Sequence, residues 1–248
     1  MKPKLFLYAP IFILAVTILA AQCGLAGSLA EPSPNVILVM ADDQGWGDMA
    51  YAGHPHLKTP NFDDAAAAGI RFNRFYAAAP VCSPTRASVM TGRHPNRMGV
   101  FKWGYPMRPQ ETTLAEVLRK AGYKTGHFGK WHLGSVRRRS PANPGNNGFE
   151  EWLSAPNFYD NDAVLSHRGT AVQTRGESSM VAVDAAIEWI KLQKTQPFLA
   201  VVWFGSPHSP HRAIEQDRNL YLDQPKTRQH FLGEVTGMDR AFGKLRNS

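Results

Sequence analysis

Apolar positions along this chain come in short blocks of two kinds, and the difference between them predicts an alternating architecture. Asn35 to Ala41 is a continuous aliphatic run between Pro34 and the polar Asp42-Asp43-Gln44-Gly45. Its length and β-branched content predict a buried parallel strand that ends in a polar loop. Asp63 to Gly69 carries acids, then alanines, then a glycine stop, and predicts a short helix; Ile70 to Tyr76 after it predicts a strand. Thr112 and Thr113 cap a helix that runs through Ala121 and closes at Gly122, and Tyr123 to Phe128 turns extended. Pro141 to Gly148 is rich in Pro, Asn and Gly and predicts a surface loop. Val181 to Lys194 has helical apolar spacing, and Pro197 to Phe204 is a second buried strand. Strands alternating with helices predict an α/β fold, a largely parallel sheet with helices on both faces. Ligands of such sheets sit beyond the carboxyl ends of the strands, which directs attention to the residues after Ala41 and Phe204.

The first thirty residues follow a different rule. Lys2 and Lys4 precede an uncharged apolar run from Leu5 to Ala21, and small residues end it at Ser28-Leu29-Ala30. This is the layout of a cleaved signal peptide over residues 1–30, leaving 31–248 as the mature domain. A membrane anchor and a lipoprotein site at Cys23 are the competing readings; Pro10 argues against the first and Gln22 against the second. The expectation is an exported protein, periplasmic or extracellular, without stable membrane association after cleavage.

Export changes the meaning of the cysteine count. Of the two cysteines only Cys82 lies outside the leader, so no disulfide forms within the mature chain, and Cys82 is either inert or kept for chemistry. At 43% hydrophobic and 19% charged the composition is that of a packed domain rather than a disordered one. The net charge of +8 suits anionic ligands. Nucleic acid is not expected: Arg137-Arg138-Arg139 is an isolated basic run without interleaved aromatics and reads as a solvated loop.

The most specific pattern is Cys82-Ser83-Pro84-Thr85-Arg86 followed by Thr91-Gly92-Arg93. Pro84 belongs in the first turn of a helix, which places Cys82 at the amino end, where N–H groups and the dipole favour an anion. Asp42 and Asp43 are carboxylates suited to a hard divalent cation, or equally to a loop and a cap. Lys130 and His132 in Gly129-Lys130-Trp131-His132-Leu133-Gly134 share one face if the segment stays extended. His208 and His211 follow the strand that ends at Phe204.

Together these segments resemble the type I sulfatases of the alkaline phosphatase superfamily, whose signature is Cys-x-Pro-x-Arg with Thr-Gly-Arg at this offset. The resemblance implies that a dedicated maturation enzyme oxidises Cys82 to formylglycine. The hydrated aldehyde then attacks the sulfur of a sulfate monoester through one hydroxyl and expels sulfate through the other. It implies that Asp42, Asp43 and the modified Cys82 bind a divalent cation, Ca2+ with Mg2+ as the alternative. It further implies that Lys130 and His208 contact the sulfate, that His132 holds the hydrate, and that Arg86 braces the site. The substrate expected is a sulfated small molecule or carbohydrate.

The family's second metal pair, Asp-Asn-Gly, has no match here: Asp160-Asn161 is followed by Asp162 and preceded by no apolar strand. The chain therefore reads as an incomplete amino-terminal catalytic domain with little activity alone. A phosphate or phosphonate ester hydrolase of the same fold, and an inactive anion-binding fragment, are the alternatives. No role separates His211 from an ordinary loop residue.

Overall fold

The computed structural model describes residues 33–248; the leader expected at residues 1–30 lies outside them. The described residues form a six-stranded sheet in the order β1-β6-β2-β3-β4-β5. The strands are β1 (Val36–Met40), β2 (Lys124–Lys130), β3 (Glu151–Ala155), β4 (Val164–His167), β5 (Thr170–Gln173) and β6 (Phe198–Trp203). β1, β6, β2 and β3 run parallel, while β4 and β5 are an antiparallel extension.

The centre of the sheet explains why its strands are so apolar. All six residues of β6 are buried. Val202 and the following Phe204 face one helical layer, whereas Leu199, Val201 and Trp203 face the other. A strand covered on both sides needs hydrophobes at every position, each contributing roughly 1.5–3 kcal/mol of burial. One layer is built by α4 (Ser178–Gln193) and α5 (Lys226–Arg246). The other includes α2 (Cys82–Thr91) and α3 (Leu114–Lys120). The remaining labelled helix, α1 (Pro60–Ala68), packs against α5, where Phe62 stacks on Phe242.

Local rules set the helix ends. Thr113 and Glu116 form a reciprocal capping box, each side chain satisfying the other's backbone N–H. Gly92 ends α2 in the left-handed region at φ 66°, with its N–H returned to the Ser88 carbonyl. Gly129 serves strand packing instead. It adopts φ 105°, and a Cβ there would lie 1.9 Å from the Trp203 carbonyl oxygen. Only glycine lets β2 approach β6 this closely, one residue before Lys130.

Three expectations are corrected. Ile70 to Tyr76 forms no strand and is exposed, with Phe72 at 70% and Phe75 at 81%. No strand among the described residues pairs with it, and apolar alternation without a partner ladder gives no sheet. Pro141 to Gly148 is not a surface loop, because most of it is buried. Asn143 donates to the carbonyls of Arg137 and Arg138, and Asn147 to that of Asn143. These side chains meet the buried backbone's demand for hydrogen bonds. The helix expected to start at Asp63 starts instead at Pro60, a residue suited to the first turn.

Candidate active site

The parallel strands deliver the expected residues to their carboxyl ends. The Phe204 N–H bonds the Met40 carbonyl at 2.9 Å, and the Asp42 N–H bonds the Ser206 carbonyl at 3.0 Å. These two bonds extend the β1–β6 ladder into the loops and fix Asp42 where the sheet opens. Cys82 enters from the side as the first residue of α2, with Val81 before it extended. Thr85 holds the approach to the helix, its hydroxyl bonding the Ala79 carbonyl at 2.6 Å. A cavity of about 370 Å3 forms between these pieces, lined by Asp42, Asp43, Cys82 and Arg86 among others.

At its floor one carboxylate meets two cations. Lys130 Nζ donates to Asp42 Oδ2, and Arg86 Nη2 lies 3.3 Å from Asp42 Oδ1. All three side chains are buried. Arg86 also donates to the Lys130 carbonyl at 2.9 Å and lies over the Trp203 ring at 4.9 Å. Its fixed fork thus joins α2 to the end of β2. Burial lowers the Arg86 pKa, and Asp42 opposes that shift.

Cys82 Sγ lies 3.6 Å from Lys130 Nζ. Its thiol pKa is pushed up by burial and then by Asp42, with Lys130 pulling the other way. One ligand atom each from Asp42, Cys82 and His208 fall within 4.8 Å of one another. Asp43 stands at the rim, half exposed and at φ 57°, with Oδ2 3.4 Å from His208 Nε2. The ring of Phe158 stacks on His208 at 5.1 Å.

The expectation that Lys130 and His132 share a strand face is corrected in its means. β2 stops at Lys130, and His132 adopts φ 51°, so strict alternation ends between them. His132 is nevertheless buried in the same region, and its pKa is lowered to about 4 by burial first and then by Lys130 and Arg86. The ring is therefore neutral at physiological pH. Asp42, Cys82, Arg86, Lys130, His132 and His208 are thus gathered at the same end of the sheet, with Asp43 at its edge.

His211 lies apart, 3.6 Å from Glu234 on α5. Asp160 pairs with Arg212 at 3.3 Å and takes no part in the Asp42 cluster. Two contacts were not expected from the sequence. Phe158, which orients His208, sits in a segment without any local signal. Arg93 joins Arg108 on the buried carboxylate of Glu111, so the third residue of Thr91-Gly92-Arg93 braces the far end of α2. That role was open to inference only from an acid lying near in space.

A buried lysine and arginine about one carboxylate, with a side chain at a helix amino end above them, define a class of protein: an α/β protein with a cationic site at the carboxyl ends of its parallel strands, suited to an oxyanion. Comparison with known proteins narrows the class. A family model described as "Sulfatase" matches residues 34–247, and the chain belongs to the sulfatase family. It is 40% identical over 260 residues to N-acetylgalactosamine-6-sulfatase of Homo sapiens, covering 90% of this chain and 48% of that protein. It is 44% identical over 151 residues to arylsulfatase A of Homo sapiens, covering 58% of this chain and 29% of that one. Among solved structures, "Crystal structure of Ps i-CgsB" superposes with a TM-score of 0.81 at 27% identity, covering 86% of this chain and 54% of that one. The chain spans about half the length of the N-acetylgalactosamine-6-sulfatases it matches.

Proposed function

We propose that this chain carries the nucleophile and the sulfate-binding cations of a sulfate monoester hydrolase, acting on a sulfated carbohydrate or a related small sulfate ester, with residue 82 working as formylglycine. The observation that carries the reading is the position of Cys82: the first residue of a helix, 3.6 Å from Lys130 Nζ, above a carboxylate shared with Arg86. An unmodified thiol suits this place poorly. Burial keeps it protonated, and a neutral thiol is a weak nucleophile. Conversion of Cys82 to the aldehyde by a maturation enzyme would supply a hydrate with one hydroxyl to attack sulfur and one to release sulfate.

Each neighbouring residue has a role that follows from its state. Lys130 and Arg86 are fixed cations that stabilise negative charge on the sulfate oxygens as the S–O bond breaks. His132, held neutral, is suited to accept a hydrogen bond from the residue 82 side chain, or to donate one to it, without adding charge to the site. His208 is partly exposed and reaches the rim, where a leaving alcohol would depart, so it is the group placed to protonate that oxygen. Phe158 keeps its ring in that attitude.

Asp42 and Asp43 fit a divalent cation as part of a donor set: two adjacent carboxylates at a strand end, with residue 82 close to the first. Calcium takes six to eight oxygens, so these residues are an incomplete sphere. When bound, calcium would polarise the sulfate and favour the ionised hydroxyl of the nucleophile. Export of the chain through its leader, and its meeting with the maturation enzyme on that route, belong to the same proposal. Among the described residues no helix is long and apolar enough to cross a membrane.

The test is co-expression with a formylglycine-generating enzyme, mass spectrometry of the Cys82 peptide, and rates on matched aryl sulfate and aryl phosphate esters. The expected result is an aldehyde at position 82 and preference for the sulfate, with turnover below that of a full-length relative because the cation sphere is incomplete. A persistent thiol, or a faster rate on the phosphate, overturns the reading.

A further inference from the structure

The arginines of the 137–139 run do more than face solvent. They line a groove of about 630 Å3, within the size range of ligand pockets. Its other walls include Val136, Pro156, Leu165 and Gly169, and none of its lining residues is acidic. Arg137, Arg138 and Arg139 form no ion pair among the described residues, although carboxylates pair with arginines elsewhere on the molecule. Arg168 stands on the hairpin turn beside the groove, exposed and likewise unpaired among the described residues.

This loop is built as a platform. Asn143 donates to the carbonyls of both Arg137 and Arg138, and the Ser140 N–H bonds the Arg137 carbonyl at 3.0 Å. Ser166 donates to the Val136 carbonyl at 2.8 Å. The β4–β5 turn lies so close that a Cβ on Gly169 would sit 2.6 Å from Arg138 Cα. The backbone is thus pinned while the guanidinium groups are left without carboxylates. With the backbone already ordered, only the arginine side chains remain to be ordered when the loop binds an anion.

The Pro156 end of the groove lies toward the end of the sheet that carries the catalytic residues. Lys130 is in register with Ala155 on the next strand, and Pro156 follows directly. Neighbouring strands are about 4.8 Å apart, so one end of the groove begins one strand away from the buried lysine. On the other side, Trp131 to Gly134 leads from Lys130 straight into the arginine loop.

We propose that this groove is a subsite for a neighbouring anionic residue of a sulfated glycan chain whose scissile sulfate occupies the Cys82 pocket. The proposal rests on the sulfate ester reading above. Apolar side chains on the floor suit the C–H face of a sugar ring, and the arginines suit the sulfates or carboxylates it carries. The lining has no aromatic ring to stack a base, which favours a glycan over a nucleic acid.

Calorimetric titration of the purified chain with a chondroitin 6-sulfate hexasaccharide and with N-acetylgalactosamine 6-sulfate tests this. An Arg138→Ser, Arg139→Ser variant is compared with Lys120→Ser, Lys191→Ser, which removes the same charge from helix ends that lead into the amino ends of β2 and β6. The first variant is expected to weaken hexasaccharide binding about tenfold, the size of two exposed ion pairs, and to leave the monosaccharide unaffected. The second is expected to change neither. Equal loss in both variants, or no loss in the first, overturns the subsite. Wild-type binding of the monosaccharide with no gain for the hexasaccharide overturns the subsite alone, whereas failure to bind either ligand overturns the sulfate ester reading as well.

Discussion

Asp42 and Asp43 are adjacent in sequence and opposite in circumstance. Asp42 is buried between Lys130 and Arg86, whereas Asp43 is half exposed beside His208. Asp42→Asn leaves two buried cations without a counter-charge and is expected to destabilise the fold by ~3–5 kcal/mol. Asp43→Asn is expected to change stability by no more than ~0.5 kcal/mol while abolishing the weak calcium binding proposed for the pair. Urea unfolding and calcium titration of both variants check this; equal stability losses would show that the buried cluster is not the source. Histidine gives a second prediction at this scale. His132 falls to about 4 in the fold against an ordinary 6.5, so the unfolded chain takes up the proton first. Its contribution is present above pH 6.5 and is lost as pH falls toward 4. The fully buried His127, packed against Trp131, Phe149 and Trp203, acts in the same direction. His132→Asn should therefore show a shallower loss of urea midpoint between about pH 7 and about pH 4.5 than the wild type, and an unchanged slope refutes the assignment.

At the scale of elements, the readable parts were those whose local pattern and final environment agree. β1 and β6 are continuous apolar runs because both faces of the sheet are covered, and the cap at Thr113 is a purely local event. β3, β4 and β5 carry no clear strand pattern because they are four or five residues long and mix polar with apolar positions. The one hint in the sequence was Arg168-Gly169, a two-residue turn with both φ values positive. The site was legible because its residues sit in contiguous motifs at strand ends. What was not legible is which cation faces which carboxylate, since those pairings link positions 42, 86 and 130. α5 supplies another long-range case. Burial, with Asp160 and Glu177 adding to it, pushes the Glu234 pKa up to about 8, although Glu234 accepts the Arg212 N–H. The folded state thus prefers the protonated acid, and this contribution is full below pH 4.5 and lost as pH rises through 8. Glu234→Gln keeps an acceptor for that N–H and removes the ionisation. It is expected to raise Tm by several degrees at about pH 9 and to leave it nearly unchanged at about pH 4; the reverse order would contradict the burial argument.

Taken whole, the described residues leave one flank of the sheet open. β1 is an edge strand, yet it has the composition of a central one, and Ile70, Phe72, Phe75 and Tyr76 are largely exposed. An apolar surface of this kind promotes self-association. Phe72→Ser with Phe75→Ser is expected to lower light scattering of the concentrated chain while moving stability by no more than ~0.5 kcal/mol. A Tm loss of many degrees would mean that these rings are packed after all.

Lys130 is buried against Asp42, where salt screens little, whereas the guanidinium groups of the 137–139 loop are exposed to every ion in the buffer. Electrolyte therefore divides the two: near 0.15 M the screening distance is about 8 Å, enough to loosen the outer grip without touching the inner one. On the proposed reading, a long polyanion would then be gathered or released according to the saltiness of its surroundings, while the hold on the ester group itself stays constant.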